Sequence, residues 1–409
     1  MHPFIPIMQS EYAELRQFLI PPRSATLIVG PELLENVIPE PELMAALVQK
    51  LESSFGADLY SWTTDPAAYP SQHEGTMQLL VLAALSEIAP SHPNLREHRP
   101  IVVRVLDGVD YNSTNIRSKS CDFIIIGSAH FVLLREIAHL MIKLSELDIG
   151  QRASEPDPHA VPFVRPLLHL LSTDVPALVE LLRPLQRLIV GFDEVEPVDL
   201  PPPLGERLVD GTLPSRVVAS VINMYNGSDA FVLFHELAHL LNGDQHGTYR
   251  ALRQELEADR AALSLAIAAH SAVKDPRSHA RSMLQNVLRV GGPALLQIFR
   301  CVQLLGTSYR IAAQLSDQAL SKWEGDLTAE FGAMEELESR VIGLQLALYS
   351  FKLPELAKEA HGFTAAYESL VAATKARVLA STEQAAVIDE IGPTDFNAAA
   401  ERAVTAVRG

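Results

Sequence analysis

Seventeen residues, Ser228 to Asp244 (SDAFVLFHELAHLLNGD), constrain this chain more than any other stretch. Phe231, Val232, Leu233, Phe234, Leu237, Leu240 and Leu241 are apolar almost all round a helical wheel, so a helix here has to be buried. Ser228 or Asp229 is a suitable helix cap, and Asn242 with Gly243 a suitable stop. Yet the same helix carries His235, Glu236 and His239. A buried polar side chain without a partner costs roughly 1 to 3 kcal/mol, so three among hydrophobes call for a common one. Positions i and i+4 share a helical face, which sets the two imidazoles side by side and able to hold one ion. The pattern is H-E-x-x-H, the helix on which two histidines bind zinc and the glutamate serves as general base.

Catalytic zinc takes three protein ligands and leaves one position open, so a third donor is required. His246 is one candidate, but it falls one residue out of register with the pattern in which a third histidine follows the motif closely. The other lies in QELEADRAA, residues 254–262. There Glu255 and Asp259 are four apart and share a face, whereas Glu257 points about 160 degrees away. Glu255 is therefore the expected third ligand. Asp259, one turn later, is the expected acceptor for the free ring N–H of a ligand histidine, fixing its tautomer. The competing reading is a solvated charged face in which Glu255, Glu257 and Asp259 pair with Arg253 and Arg260.

H-E-L-A-H followed sixteen residues later by E-L-E-A-D resembles the gluzincin metallopeptidases, in their soluble forms such as the ImmA/IrrE-like regulators and the Lit-like phage-exclusion peptidases. The likeness spans Ser228 to Ala262. It implies a zincin-like fold with a small sheet, Zn²⁺ as cofactor, and hydrolysis of peptide bonds in a protein substrate, with a role in regulation or phage defence. His235, His239 and Glu255 would then bind the metal and Glu236 would be the general base. For an oxyanion donor, His246, Tyr249, Arg260 and His270 lie near enough in sequence to be considered. The alternative is a catalytically inactive zinc-binding scaffold or regulatory interaction protein.

Composition narrows the partners. With 33 Lys plus Arg against 50 Asp plus Glu, the chain carries a formal charge of −17 and offers no basic field for phosphates, so neither nucleic acid nor an anionic membrane is an expected partner. A protein or peptide substrate and a regulatory protein partner are. No run of 18 uninterrupted apolar residues occurs, and the first residues lack a secretory pattern. Two cysteines, Cys121 and Cys301, give no disulfide framework and no thiolate metal site. A cytoplasmic setting is expected.

The expected fold class is α+β, mainly α, with a helical C-terminal region. Residues 1–150 form an N-terminal region with strands at Ile101 to Leu106 and Phe123 to Ile126. A Pro-rich connection at 151–215 contains a short helical pair, roughly Pro166 to Val190. Residues 216–275 are the zinc-binding core, with a strand expected at Arg216 to Asn223 (RVVASVIN) whose edge would take an extended substrate. Residues 276–409 read as a helical bundle. Finally, Gly127 to Met141 (GSAHFVLLREIAHLM) aligns without gaps on Gly227 to Leu241, with Arg135 in place of the first histidine. A guanidinium cannot ligate zinc, so an internal duplication would have left one metal site; the alternative is that buried amphipathic helices with capped starts resemble each other by composition.

Overall fold

A computed structural model describes residues 2–19, 40–55, 58–91, 99–106, 113–148, 201–202, 204, 207–208, 210–244 and 252–287, with single positions within 177–184 and 339–347. The chain forms two compact units, one of Met1–Ala138 with Leu188–Gly292 and the other of His139–Arg187 with Pro293–Gly409. The first contains every candidate site residue that is described. Of the helical bundle expected over 276–409 only residues 276–287 and single positions within 339–347 are described, and of the helical pair expected at Pro166 to Val190 only single positions within 177–184; the rest of both lies outside the described residues.

The described part is mostly helical, with one small mixed sheet. Its helices are α1 (Phe4–Leu19), α2 (Pro41–Phe55), α3 (Gln72–Ile88), α4 (Ser128–Asp148), α5 (Ser215–Asn242), α6 (Leu252–Ala272) and α7 (His279–Asn286). Strands β1 (Ile101–Leu106), β2 (Ser113–Arg117) and β3 (Asp122–Gly127) lie in the order β1-β3-β2. β1 runs parallel to β3, with Ile101 opposite Asp122, and β2 runs antiparallel to β3, with Ser113 opposite Ile126. Every residue of β3 is buried, as a central strand with both faces covered should be.

Side chains seal one margin of this sheet. Gln78 donates to the carbonyl of Ile101 at 2.9 Å and accepts from the amide of Val103 at 3.0 Å, while Glu74 accepts from the amide of Val105 at 2.8 Å. Gln78 and Glu74 are one turn apart on α3, so a helix satisfies polar groups that a fourth strand would otherwise take. The hydroxyl of Tyr12 donates to Val105 as well, at 2.8 Å. Among the described residues no strand pairs with the outer side of β2, the opposite margin.

α5 corrects two expectations. Residues 216–223 are not a strand but the first turns of this 28-residue helix, and Ser228 and Asp229 sit in its interior instead of capping it. Pro214 precedes the first turn. Val217, Val221, Met224 and Tyr225 are buried at helical spacing. Differences in helix propensity among ordinary residues are a few tenths of a kcal/mol each, whereas burying such a side chain is worth roughly 1.5 to 3, so packing decides. Val217–Asn242 is long and apolar enough to cross a membrane by length and composition, but 71% of its apolar window is buried inside the protein. It packs against α6, α7, α3, β2 and β3.

The two aligned segments also differ in setting. Gly127 ends β3 and its helix begins at Ser128, whereas Gly227 is inside α5 with twelve helical residues before it. The likeness is confined to the helices. Arg135, at the position matching His235, is buried and donates to the carbonyl of Pro201 at 3.2 Å.

Candidate metal centre

The face of α5 that carries both histidines meets α6. Nε2 of His235 lies 3.1 Å from Nε2 of His239, and the Glu255 carboxylate reaches both, with Oε2 3.1 Å from His235 and Oε1 3.4 Å from His239. Among the described residues these three form the one group of His, Cys, Asp or Glu side chains able to hold a metal ion. His239 is fully buried, His235 nearly so, and the Glu255 side chain is 13% exposed.

Both outer ring nitrogens are occupied by carboxylates. Nδ1 of His235 lies 2.8 Å from Oδ1 of Asp259, itself buried one turn beyond Glu255. Nδ1 of His239 lies 2.8 Å from Oδ2 of Asp244, whose other oxygen accepts from Gln254 at 3.1 Å. A carboxylate accepts, so each Nδ1 carries a proton, and a neutral ring in that tautomer turns its Nε2 lone pair inward. Two imidazole lone pairs and a carboxylate thus converge within 3.1 to 3.4 Å of one another. Bonds of about 2.0 to 2.1 Å to one tetrahedral ion set its ligands roughly 3.3 Å apart, and such mutually repelling donors are held together best by a cation. The donor set fits zinc.

The sequence placed Asp259 on this face but missed Asp244. The signal lay in the helix stop: Gly243 takes the left-handed conformation, φ 78°, its amide bonds the carbonyl of Leu240, and the amide of Asp244 bonds the carbonyl of His239 at 3.0 Å. This closing motif folds the residue after glycine back along the last turn, which is where His239 stands.

Comparison of the chain with protein-family models, with curated proteins and with solved structures finds no match in any of the three. The site therefore rests on its own geometry.

Glu236 borders this face. One position after His235 and three before His239, it lies about 100 and about 60 degrees from them around the helix, and its carboxylate meets β2. There Oε1 accepts from the hydroxyl of Ser113 and Oε2 from the amide of Asn115, each at 3.0 Å. Glu236 and Asn115 are both 3% exposed. No local pattern links these partners, which lie more than 120 positions apart in the chain.

Glu257 pairs on the surface with Arg253 at 2.8 Å, four residues away, and takes no part in the site. Of the four residues considered for the oxyanion, His246 and Tyr249 lie outside the described residues. Arg260 is exposed, and His270 stands fifteen residues beyond Glu255, about 22 Å along α6. Neither of these two reaches the metal donors.

Proposed function

We propose that the chain is a zinc-dependent metallopeptidase of zincin-like design, hydrolysing peptide bonds of a protein substrate. The observation that carries this reading is the division of labour on α5: His235 and His239 turn to Glu255, while Glu236, which is not one of these three donors, is held beside them by Ser113 and Asn115 of β2. A purely structural zinc needs no such carboxylate beside it.

His235, His239 and Glu255 would hold Zn²⁺, which would supply Lewis-acid polarisation of the scissile carbonyl and of a water. The chain's own residues do the rest. Asp259 and Asp244 hold the imidazoles in the tautomer that presents Nε2 inward. A carboxylate oxygen of Glu236 takes the proton from the attacking water and passes it to the leaving amine. The outer side of β2, with which no strand pairs among the described residues, suits an extended peptide, whose main chain would add as a strand with little demand on side chains.

Elemental analysis of the purified chain, with denatured casein as the test substrate, decides between enzyme and scaffold. One zinc per chain is expected in the wild type and none in Glu255→Ala. Glu236→Gln should keep its zinc and lose at least a hundredfold in cleavage. Absence of zinc from the wild type, or full cleavage by Glu236→Gln, would overturn the proposal.

A further inference from the structure

Glu236 is gripped from a strand, and the manner of the grip is informative. Ser113 and Asn115 are two residues apart on β2, so their side chains leave the same face of the strand. Each donates to a different oxygen of one carboxylate, at 3.0 Å in both cases. A single hydrogen bond would tether the strand to α5. Two donors, one per oxygen, also fix the plane and rotation of the carboxyl group. A carboxylate offers about four acceptor directions, so two donors orient it and do not by themselves saturate it. Asn115 is almost fully buried, where a donor to a charged group is worth more than at the surface.

We infer that Ser113 and Asn115 are positioning residues for the reaction at Glu236. They hold the carboxylate in the orientation from which it takes the proton of the attacking water. This inference rests on the metallopeptidase reading and adds two residues to it that lie outside the zinc-binding motif. β2 is then part of the reaction machinery as well as the margin along which a peptide would lie.

The test uses the full-length zinc-loaded chain, casein cleavage, and the affinity of acetohydroxamate measured by calorimetry. A hydroxamate binds zinc while its hydroxyl proton is taken by a nearby carboxylate, so its affinity reports where that carboxylate is, independently of turnover. Asn115→Ala and the isosteric Asn115→Asp should keep one zinc per chain. Both should lose about tenfold to a hundredfold in kcat with KM changed less than about threefold, and weaken acetohydroxamate about tenfold or more. Ser113→Ala should show a smaller loss of the same kind, most of it recovered in Ser113→Thr, which restores the hydroxyl. In a Glu236→Gln background, Asn115→Ala should have no further effect on hydroxamate affinity.

Wild-type kcat and hydroxamate affinity in Asn115→Asp, or an undiminished effect of Asn115→Ala in the Glu236→Gln background, would overturn the inference and leave the metallopeptidase standing. A wild type that takes up zinc but neither cleaves casein nor binds hydroxamate would remove both. Should the Asn115 variants fail to fold, the comparison of Ser113→Ala with Ser113→Thr decides by the same two readouts.

Discussion

The carboxylate of Asp259 lies 2.8 Å from Nδ1 of His235, while Glu255, one turn earlier on the same helix, approaches Nε2 of that ring at 3.1 Å. A single helix thus sets a carboxylate beside each nitrogen of one imidazole. Replacing Asp259 with Asn keeps the volume but removes the charge that holds the Nδ1 proton, and should weaken zinc about tenfold to a hundredfold. Competition against a chromophoric chelator measures it. Unchanged affinity would mean that the ring is oriented by packing alone.

Asp244 does the same for His239, but from a turn. Asp244→Ala should also cost about tenfold to a hundredfold in zinc affinity. Gly243→Ala should cost about 1 kcal/mol in denaturant unfolding, because its φ of 78° is one that an L side chain rarely adopts. A Cβ there would meet nothing within 4 Å, so the loss is conformational and not steric. A neutral Gly243→Ala would contradict the left-handed stop.

Glu257 provides a control. Its exposed pairing with Arg253 at 2.8 Å is screened by solvent and contributes little to stability. Glu257→Ala should retain one zinc per chain and nearly the wild-type melting temperature. Zinc loss in Glu257→Ala together with retention in Glu255→Ala would invert the assignment of the third ligand.

Acid should destabilise the fold through a cluster away from the metal donors. Burial pushes the His73 imidazole down to about 3, with nearby His130 adding to the effect, and burial pushes His130 down to about 4. Asp229, 3.4 Å from His73, is driven by burial well above the usual carboxylate range. In the folded chain both rings are neutral. Unfolding lets each take up a proton near its free value of about 6.5, so their contribution is complete above that value and is lost as pH falls toward about 4, at roughly 1.4 kcal/mol per pH unit per proton. Asp229 acts with the opposite sign, because the unfolded carboxyl ionises near 3.9 while the folded one keeps its proton. Urea unfolding between pH 7 and 4.5 should show a flatter acid loss in His73→Gln. Asp229→Asn should be more stable at pH 7 and fall more steeply. An Asp229→Asn curve parallel to the wild type would refute the neutral carboxyl.

How far the sequence foretold this arrangement depended on whether the informative residues were near one another. His235, His239, Glu255 and Asp259 are paired at a spacing of four within helices, and that spacing alone put them on common faces. The strands at 101–106 and 123–126 were legible from their β-branched runs, which match two of the three observed strands. β2 was not, because STNIR is polar and half-exposed and neither alternates nor forms an apolar run. The stretch before the motif was misread because its valines and isoleucine suggest a strand, while the helical recurrence of Val217, Val221 and Tyr225 is the pattern its burial obeys. Ser113 and Asn115 meet Glu236 only through tertiary structure, and nothing local announces it.

The seal that Gln78 and Glu74 place along β1 makes them a counterfeit neighbour, occupying hydrogen-bonding positions without being a strand. Sheet growth on that side is foreclosed, so among the described strands the margin left for a visiting one is that of β2, whose side chains grip Glu236. If the chain is the peptidase proposed above, a second copy seeking the same margin would arrive as a rival to substrate. Crowding of this protein would then show itself as competitive inhibition before it showed itself as aggregation.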